Sequence, residues 1–265
     1  MPVTPAHAAA AWPLRRPFGR LPLSALVIGT LSPDFEYVLR LRPVGKFGHS
    51  PLGLVLFCVP ATLVVWWGWR ALVRPALVPL LPPGMQAAAS APPPGRRSDL
   101  VPLAIVGALL GALTHVVWDG FTHPDGWGTA LFPRLQGVVW ERMPWYLLLQ
   151  LVSSVVGVVA VALWIGVAWL RHPRAARRFA PGQPARVAAL ALLLALAAAA
   201  CAWADGRLGS NAGDALGRAA VGAEIGVAAG LAAYGLAARP RRGMAGERGA
   251  VRLGTGAEDV APAPE

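Results

Sequence analysis

Charge is scarce in this chain. Only 14% of its 265 residues are Asp, Glu, Lys or Arg, against about 25% in soluble domains, which excludes an ordinary water-soluble globule. Acid is the scarcer sign: 13 Asp and Glu face 24 Lys and Arg, and the net charge of +11 is nearly all arginine. A basic balance can mean nucleic acid. Here the arginines flank apolar segments, so no nucleic-acid partner is expected, and they point instead to membrane topology and anionic lipid headgroups. Cysteine is almost missing. Cys58 and Cys201 lie inside apolar runs without CxxC spacing, which makes them small buried hydrophobes and not metal ligands or a disulfide. No cleavable signal is expected either: Arg15-Arg16 precedes an apolar run, but no small-x-small site follows, and acidic Asp34 and Glu36 come next. No internal repeat is present.

What the chain does have is long apolar runs. It is 55% hydrophobic, with a mean hydropathy of +0.52. Residues 51–72 read as a span ending in the interfacial anchors Trp66, Trp67, Trp69 and Arg70. A second begins at Leu100 and ends in a polar, His- and Asp-rich loop before Pro133; further spans fall at 144–170, 187–204 and 219–238. Residues 21–31 are apolar but about half the ~20 residues a crossing needs, so they read as a re-entrant or half-helix. The expected architecture is all-α, a polytopic membrane helix bundle of about five transmembrane helices plus that N-terminal half-helix. Residues 1–170 carry the motifs, 171–238 add two further helices, and 239–265 read as a disordered tail, as does the Pro- and Ala-rich loop 73–98. The arginine-rich loops 70–99 and 171–186 and the tail from 239 share one side, cytoplasmic by the positive-inside rule. The N-terminal fifty residues then belong outside, although they hold Arg15, Arg16, Arg20, Arg40, Arg42 and Lys46. A spanning 21–31 would relieve part of that conflict, but would put His7 across the membrane from Asp34.

On this topology His7, Asp34, Glu36, His49, His115, Asp119 and His123 gather at one side of the membrane. His115 and Asp119 are four residues apart on one helical face, at the mouth of an apolar segment where polar groups need partners. Taken singly, His7 is a solvated helix-start histidine, Asp34 a cap and His49 a helix entry; His115, about a turn inside an apolar helix, is hardest to dismiss. Imidazole with carboxylate suits Zn²⁺ first, then Mn²⁺ or Fe, and the lack of thiolate argues against a closed structural zinc site. The ligand set is His7, Asp34, His49, His115 and Asp119, enough for one ion and compatible with two. Asp34 doubles as a candidate general base, and Glu36 as a proton-transfer group. Ser50, Thr122 and His123 read as support around the ligands; His123 precedes Pro124, which pushes it out of helical geometry. Glu224, in the last span, is either a supporting group or a snorkelling side chain. Gly126 and Gly128 read as turn residues.

The opening MPVTPAHAAA, the segment LSALVIGTLSPDFEY, the helix start GHSPLGL and the run HVVWDGFTHPDGWGTALFP resemble bacterial domain-of-unknown-function family 4184. That family is similar to the predicted membrane-bound metal-dependent hydrolases. The shared pattern falls on His7, Pro33-Asp34, His49-Ser50, His115, Asp119, Thr122, Gly128 and Leu131-Phe132-Pro133, within residues 1–170 or so. The hydrolase relatives often carry a second acid two residues after Asp34, where Glu36 stands; their Arg after the first His and Thr before His-Ser are lacking here. The resemblance implies a metal-dependent hydrolase in the bacterial cytoplasmic membrane; the arginine bias puts its site on the outer face and its C-terminus inside, and a site at headgroup level suggests membrane lipids as partners. A non-catalytic protein using the same cluster as a polar or metal clip is the alternative. A transporter ranks last, because the spans after Pro144 offer almost no polar groups.

Overall fold

The computed structural model describes residues 4–91 and 97–238. Among these, strand is confined to a small ribbon, Val138–Trp140 against Met143–Pro144. Five helices are long and apolar enough to cross a membrane: Pro51–Leu80, Leu100–Thr122, Trp145–Leu170, Gln183–Gly206 and Asp214–Ala237, here spans one to five. The chain is thus the all-α membrane bundle that its hydropathy predicts. Span three turns Val155 and Ile165 outward, 65% and 64% exposed, and span four does the same with Leu192. In water each would forgo about 1.5–3 kcal/mol of burial; in hydrocarbon that penalty vanishes. Many of the most deeply buried side chains are polar: Thr30, Ser32, Asp34, Thr62, His115, Thr122 and Thr129. Polar groups therefore make up much of the deepest interior, His115 and Asp34 among them.

Span one differs from expectation at its far end. It continues to Leu80, and a further helix covers Pro83–Ser90, where residues 73–98 read as disordered. The reason lies in its prolines. Pro60 and Pro75 each remove a backbone donor four residues downstream of a carbonyl. The wider turns Leu54–Cys58 and Trp69–Val73 hold those carbonyls, so the helix absorbs each proline without breaking. Residues 92–96 of that stretch, and the tail from 239, lie outside the described residues.

The half-helix is one limb of a re-entrant hairpin. Thr4–Ala10, continuing as Ala11–Leu14, runs along span three. Ala6 abuts Gly157 and Trp12 stacks on Trp164 at 6.2 Å between ring centroids. The chain then turns, and Leu23–Leu31 climbs back beside span two. Near its start the Trp66 indole, far along span one, donates to Ser24 Oγ at 3.0 Å. Arg15, Arg16 and Arg20 are exposed at the turn, on the side where span one carries Arg70 and span three runs out into Arg171. Three of the six N-terminal basic residues thereby leave the face on which the sequence alone had placed them.

Small residues let the hairpin approach span two. Gly107, Gly111, His115 and Asp119 recur every four residues, so one stripe serves first as contact surface and then as ligand face. A Cβ at Gly29 would lie 2.6 Å from the Ala108 carbonyl oxygen, and one at Gly111 would lie 2.5 Å from the Leu26 carbonyl oxygen. Backbone meets backbone here, which is how helices pack in a solvent as apolar as their own side chains.

Candidate metal centre

His115 and Asp119 occupy adjacent turns of span two, seven and three residues before its end, so His115 sits ~10 Å inside it. His115 is fully buried, and its Nδ1 lies 2.8 Å from the Thr30 carbonyl oxygen of the ascending limb. A carbonyl only accepts, so Nδ1 carries a proton, and in the neutral ring Nε2 is left with its lone pair for a ligand. Three residues past that limb, Asp34 enters from the Ser32–Asp34 turn. His49 precedes span one, whose entry Ser50 caps: its Oγ accepts from Gly53 N at 3.0 Å and donates to the Phe47 carbonyl at 2.7 Å. His7 comes from the descending limb, its ring stacked on that of His115 at 3.7 Å.

These groups converge. His115 Nε2 lies 3.3 Å from Asp119 Oδ2 and 3.5 Å from Asp34 Oδ1; His49 Nε2 lies 3.5 Å and 3.6 Å from the same two oxygens. Ligand atoms of these four residues all fall within 4.8 Å of one another. His7 Nε2 adds a contact at 3.4 Å, to Asp119 Oδ1. The separations exceed a good N–H···O bond, and His7 Nε2, His49 Nε2, His115 Nε2, Asp34 Oδ1 and Asp119 Oδ1 are all buried without a hydrogen-bond partner. Buried polar atoms left without partners in so small a space are costly unless a cation joins them. Two donors ~2.0–2.1 Å from one tetrahedral ion stand about 3.3–3.4 Å apart, close to the spacing found. Charge agrees with this fit: two carboxylates and neutral imidazoles balance one divalent ion.

Two pKa shifts bear on that charge state. Burial and the neighbouring His115 lower that of His7, against the pull of Asp119 and Asp34, so its imidazole is neutral and free to ligate. Burial raises that of Asp34, but His115 and Thr4 outweigh it and hold the carboxyl below its ordinary value.

The other candidate residues take distinct places. Glu36 was expected to share proton transfer with Asp34. Both of its oxygens are already engaged: Oε1 by Arg40 at 2.8–2.9 Å and Oε2 by Gly48 N at 2.9 Å. It clamps the backbone beside His49 and lies outside the close group. His123 leaves helical geometry at φ −123°, ψ 146°, as Pro124 requires, and its Nδ1 donates to the Asp119 carbonyl at 3.0 Å. Thr122 is fully buried, its hydroxyl 3.4 Å from the Trp118 carbonyl. Gly126 is needed for closeness more than for turning, since a Cβ there would sit 2.2 Å from the Gly120 carbonyl oxygen.

Three further residues complete the site. Thr4 Oγ donates to Asp34 Oδ2 at 2.7 Å, and Glu224 of span five approaches the same hydroxyl. Tyr37 stacks at 5.8 Å on His49, and burial followed by the carboxylates Asp34 and Asp119 pushes its phenol well above the usual range. Its signal in sequence was its place three residues after Asp34, on the same helical face. Thr4 had no such signal, since only the hairpin brings it here, whereas Glu224 stood out as an acid inside an apolar span. A cavity of about 470 Å³, whose mixed lining includes Tyr37, Lys46, His49, Asp119 and His123, reaches the ligands.

The sequence model of the family described as Domain of unknown function (DUF4184) matches residues 1–236, so the chain belongs to that family. The match runs past residue 170, through spans four and five. No curated protein and no solved structure matches the chain.

Proposed function

We propose that this member of the DUF4184 family is a membrane-embedded, metal-dependent hydrolase acting at the bilayer interface on a lipid or phosphoester-type substrate. One observation carries the reading: ligand atoms of Asp34, His49, His115 and Asp119, brought from three segments of chain, lie within 4.8 Å of one another, and most of the buried polar atoms there have no hydrogen-bond partner. His49, His115, Asp34 and Asp119 hold the ion and His7 completes the set, with Zn²⁺ the best match to two or three imidazoles and two carboxylates. When bound, such an ion polarises an ester or phosphoryl oxygen and makes water a nucleophile near neutral pH.

The chain's own residues do the rest. Thr30 fixes the His115 tautomer, Thr4 orients Asp34, and Glu36 holds the backbone beside His49. Asp34, held through Oδ2 by Thr4, is the general base in this reading. In hydrolysis the acyl or phosphoryl group gains the hydroxyl and the leaving oxygen gains the proton. A structural clip would be closed on every side; here the cavity of about 470 Å³ gives water and substrate access to His49 and Asp119, which favours catalysis. Similarity to the predicted membrane-bound metal-dependent hydrolases points the same way.

Orientation follows from charge. Arg15, Arg16, Arg20, Arg70, Arg74 and the arginines after Arg171 gather at the end away from the site. By the positive-inside rule that end faces the cytoplasm of a bacterial inner membrane, with the C-terminus, and the site faces outward.

The test is metal content of detergent-purified protein beside thermal unfolding, for wild type, His115→Ala and Asp119→Asn. One bound divalent ion in wild type is expected, with affinity at least about 10–100-fold weaker in each variant. Variants that only lose stability, with no change in metal, would leave the cluster a hydrogen-bonded network.

A further inference from the structure

A second cavity, of about 640 Å³, touches the site from the opposite side. It lies between the descending limb, span two and span three. Ala6, Ala10, Leu113, Val117, Val152 and Val156 make its wall, and His7 is its ionisable residue. The size is that of a small-molecule pocket, ~300–1,000 Å³. Its walls place it at membrane depth. Leu113 and Val117 belong to span two, Val152 and Val156 to span three, whose most apolar stretch is hardly buried at all. At one end the Trp118 indole bridges to Ser153 Oγ at 3.1 Å; deeper, Ala6 wedges against Gly157. Between these ties the cavity is bounded by exposed side chains of span three, Val152 and Val156.

We infer that this cavity takes one hydrocarbon chain of a membrane lipid, with the lipid's polar end toward His7. The chemistry favours this occupant. An aqueous solute finds almost no polar lining there, whereas an acyl chain enters sideways from the bilayer without meeting water. The site then stands between two unlike spaces: an almost wholly apolar one on the His7 side, and one carrying Lys46, Asp125 and His123 on the side of His49 and Asp119; His7 Nε2 and Asp119 Oδ1 meet between them at 3.4 Å. That is the division an amphiphile needs. The inference deepens the hydrolytic reading above and rests on it for its substrate sense, because it selects lipids over soluble phosphoesters.

The probe is phosphatidylglycerol with a diazirine in one acyl chain, reconstituted in vesicles with the full chain, photolysed and mapped by peptide mass spectrometry. Labelling should concentrate on residues 6–10, 113–118 and 149–157, above the level on span four. Val156→Trp fills the cavity from an already exposed position, 60% open, and should cut that labelling about tenfold, a 1.4 kcal/mol loss. Val152→Trp is the independent second filling variant. Both should keep the metal, since neither residue touches a ligand. Even labelling of all lipid-facing spans, or labelling that both tryptophans leave unchanged, overturns the inference. Cavity labelling in a protein that never takes up metal would uphold the chain site while removing the hydrolase reading.

Discussion

Gly111→Ala adds a single methyl group in span two, and its effect should reach the metal through the hairpin. The new Cβ would sit 2.5 Å from the Leu26 carbonyl oxygen, 2.7 Å from Thr30 N and 2.8 Å from the Gly29 carbonyl carbon. All three are backbone atoms of the ascending limb, so no side chain can swing aside. The limb must retreat by several tenths of an ångström. It carries the Thr30 carbonyl, now 2.8 Å from His115 Nδ1, and a retreat of that size takes the bond past its useful ~3.2 Å. Overpacking of this kind costs about 1–3 kcal/mol, roughly 2–12 °C in Tm for a chain of this length. Loss of the imidazole's outer partner weakens metal binding about 10–100-fold. Gly68→Ala is the matched control: nothing lies within 4 Å of its Cβ, and Ala in a helix gains up to ~1 kcal/mol over Gly. Scanning calorimetry and metal titration on both variants check the argument. Gly111→Ala that melts and binds metal like Gly68→Ala would refute the packing of the limb on span two.

Thr4→Val removes the hydroxyl that bonds Asp34, a charge-assisted bond worth about 1.5–3 kcal/mol; metal affinity should fall, and Thr4→Ser should restore it. Truncation after Arg186 would be harmless if only the front half mattered, but Glu224 meets Thr4, so the truncated chain should bind metal more weakly even where it folds. In a background with both cysteines replaced by serine, Arg16→Cys should label from the side opposite Val44→Cys; labelling of both from one side would dismiss the hairpin. Lys46 and Asp125 form an exposed ion pair, so Lys46→Ala should change stability by no more than ~1 kcal/mol, which a denaturation curve will show.

The spans were legible because runs of about 20 apolar residues need no tertiary information. His115 and Asp119 were legible through their four-residue spacing, and His7, Asp34 and His49 through their places at helix ends. What escaped reading depends on contacts between distant segments. The turn that carries Arg15, Arg16 and Arg20 across the bundle is written in no local pattern, so the N-terminal charges looked like a topological contradiction. Glu36 looked catalytic by proximity to Asp34, yet its carboxylate is engaged by Arg40 and a backbone amide twelve residues on. Proline-rich chain after Val73 looked like loop, because composition does not reveal that wider helical turns can hold the freed carbonyls.

The central claim is that imidazoles and carboxylates from separate segments share one ion. X-ray absorption at the metal edge of the zinc-loaded full chain measures this directly. The account predicts nitrogen and oxygen ligands only, at ~2.0–2.2 Å, with the outer-shell signature of at least two imidazoles that weakens in His115→Ala. Sulfur scattering at ~2.3 Å, a shell without imidazole, or protein that takes up no stoichiometric metal after supplementation would contradict it.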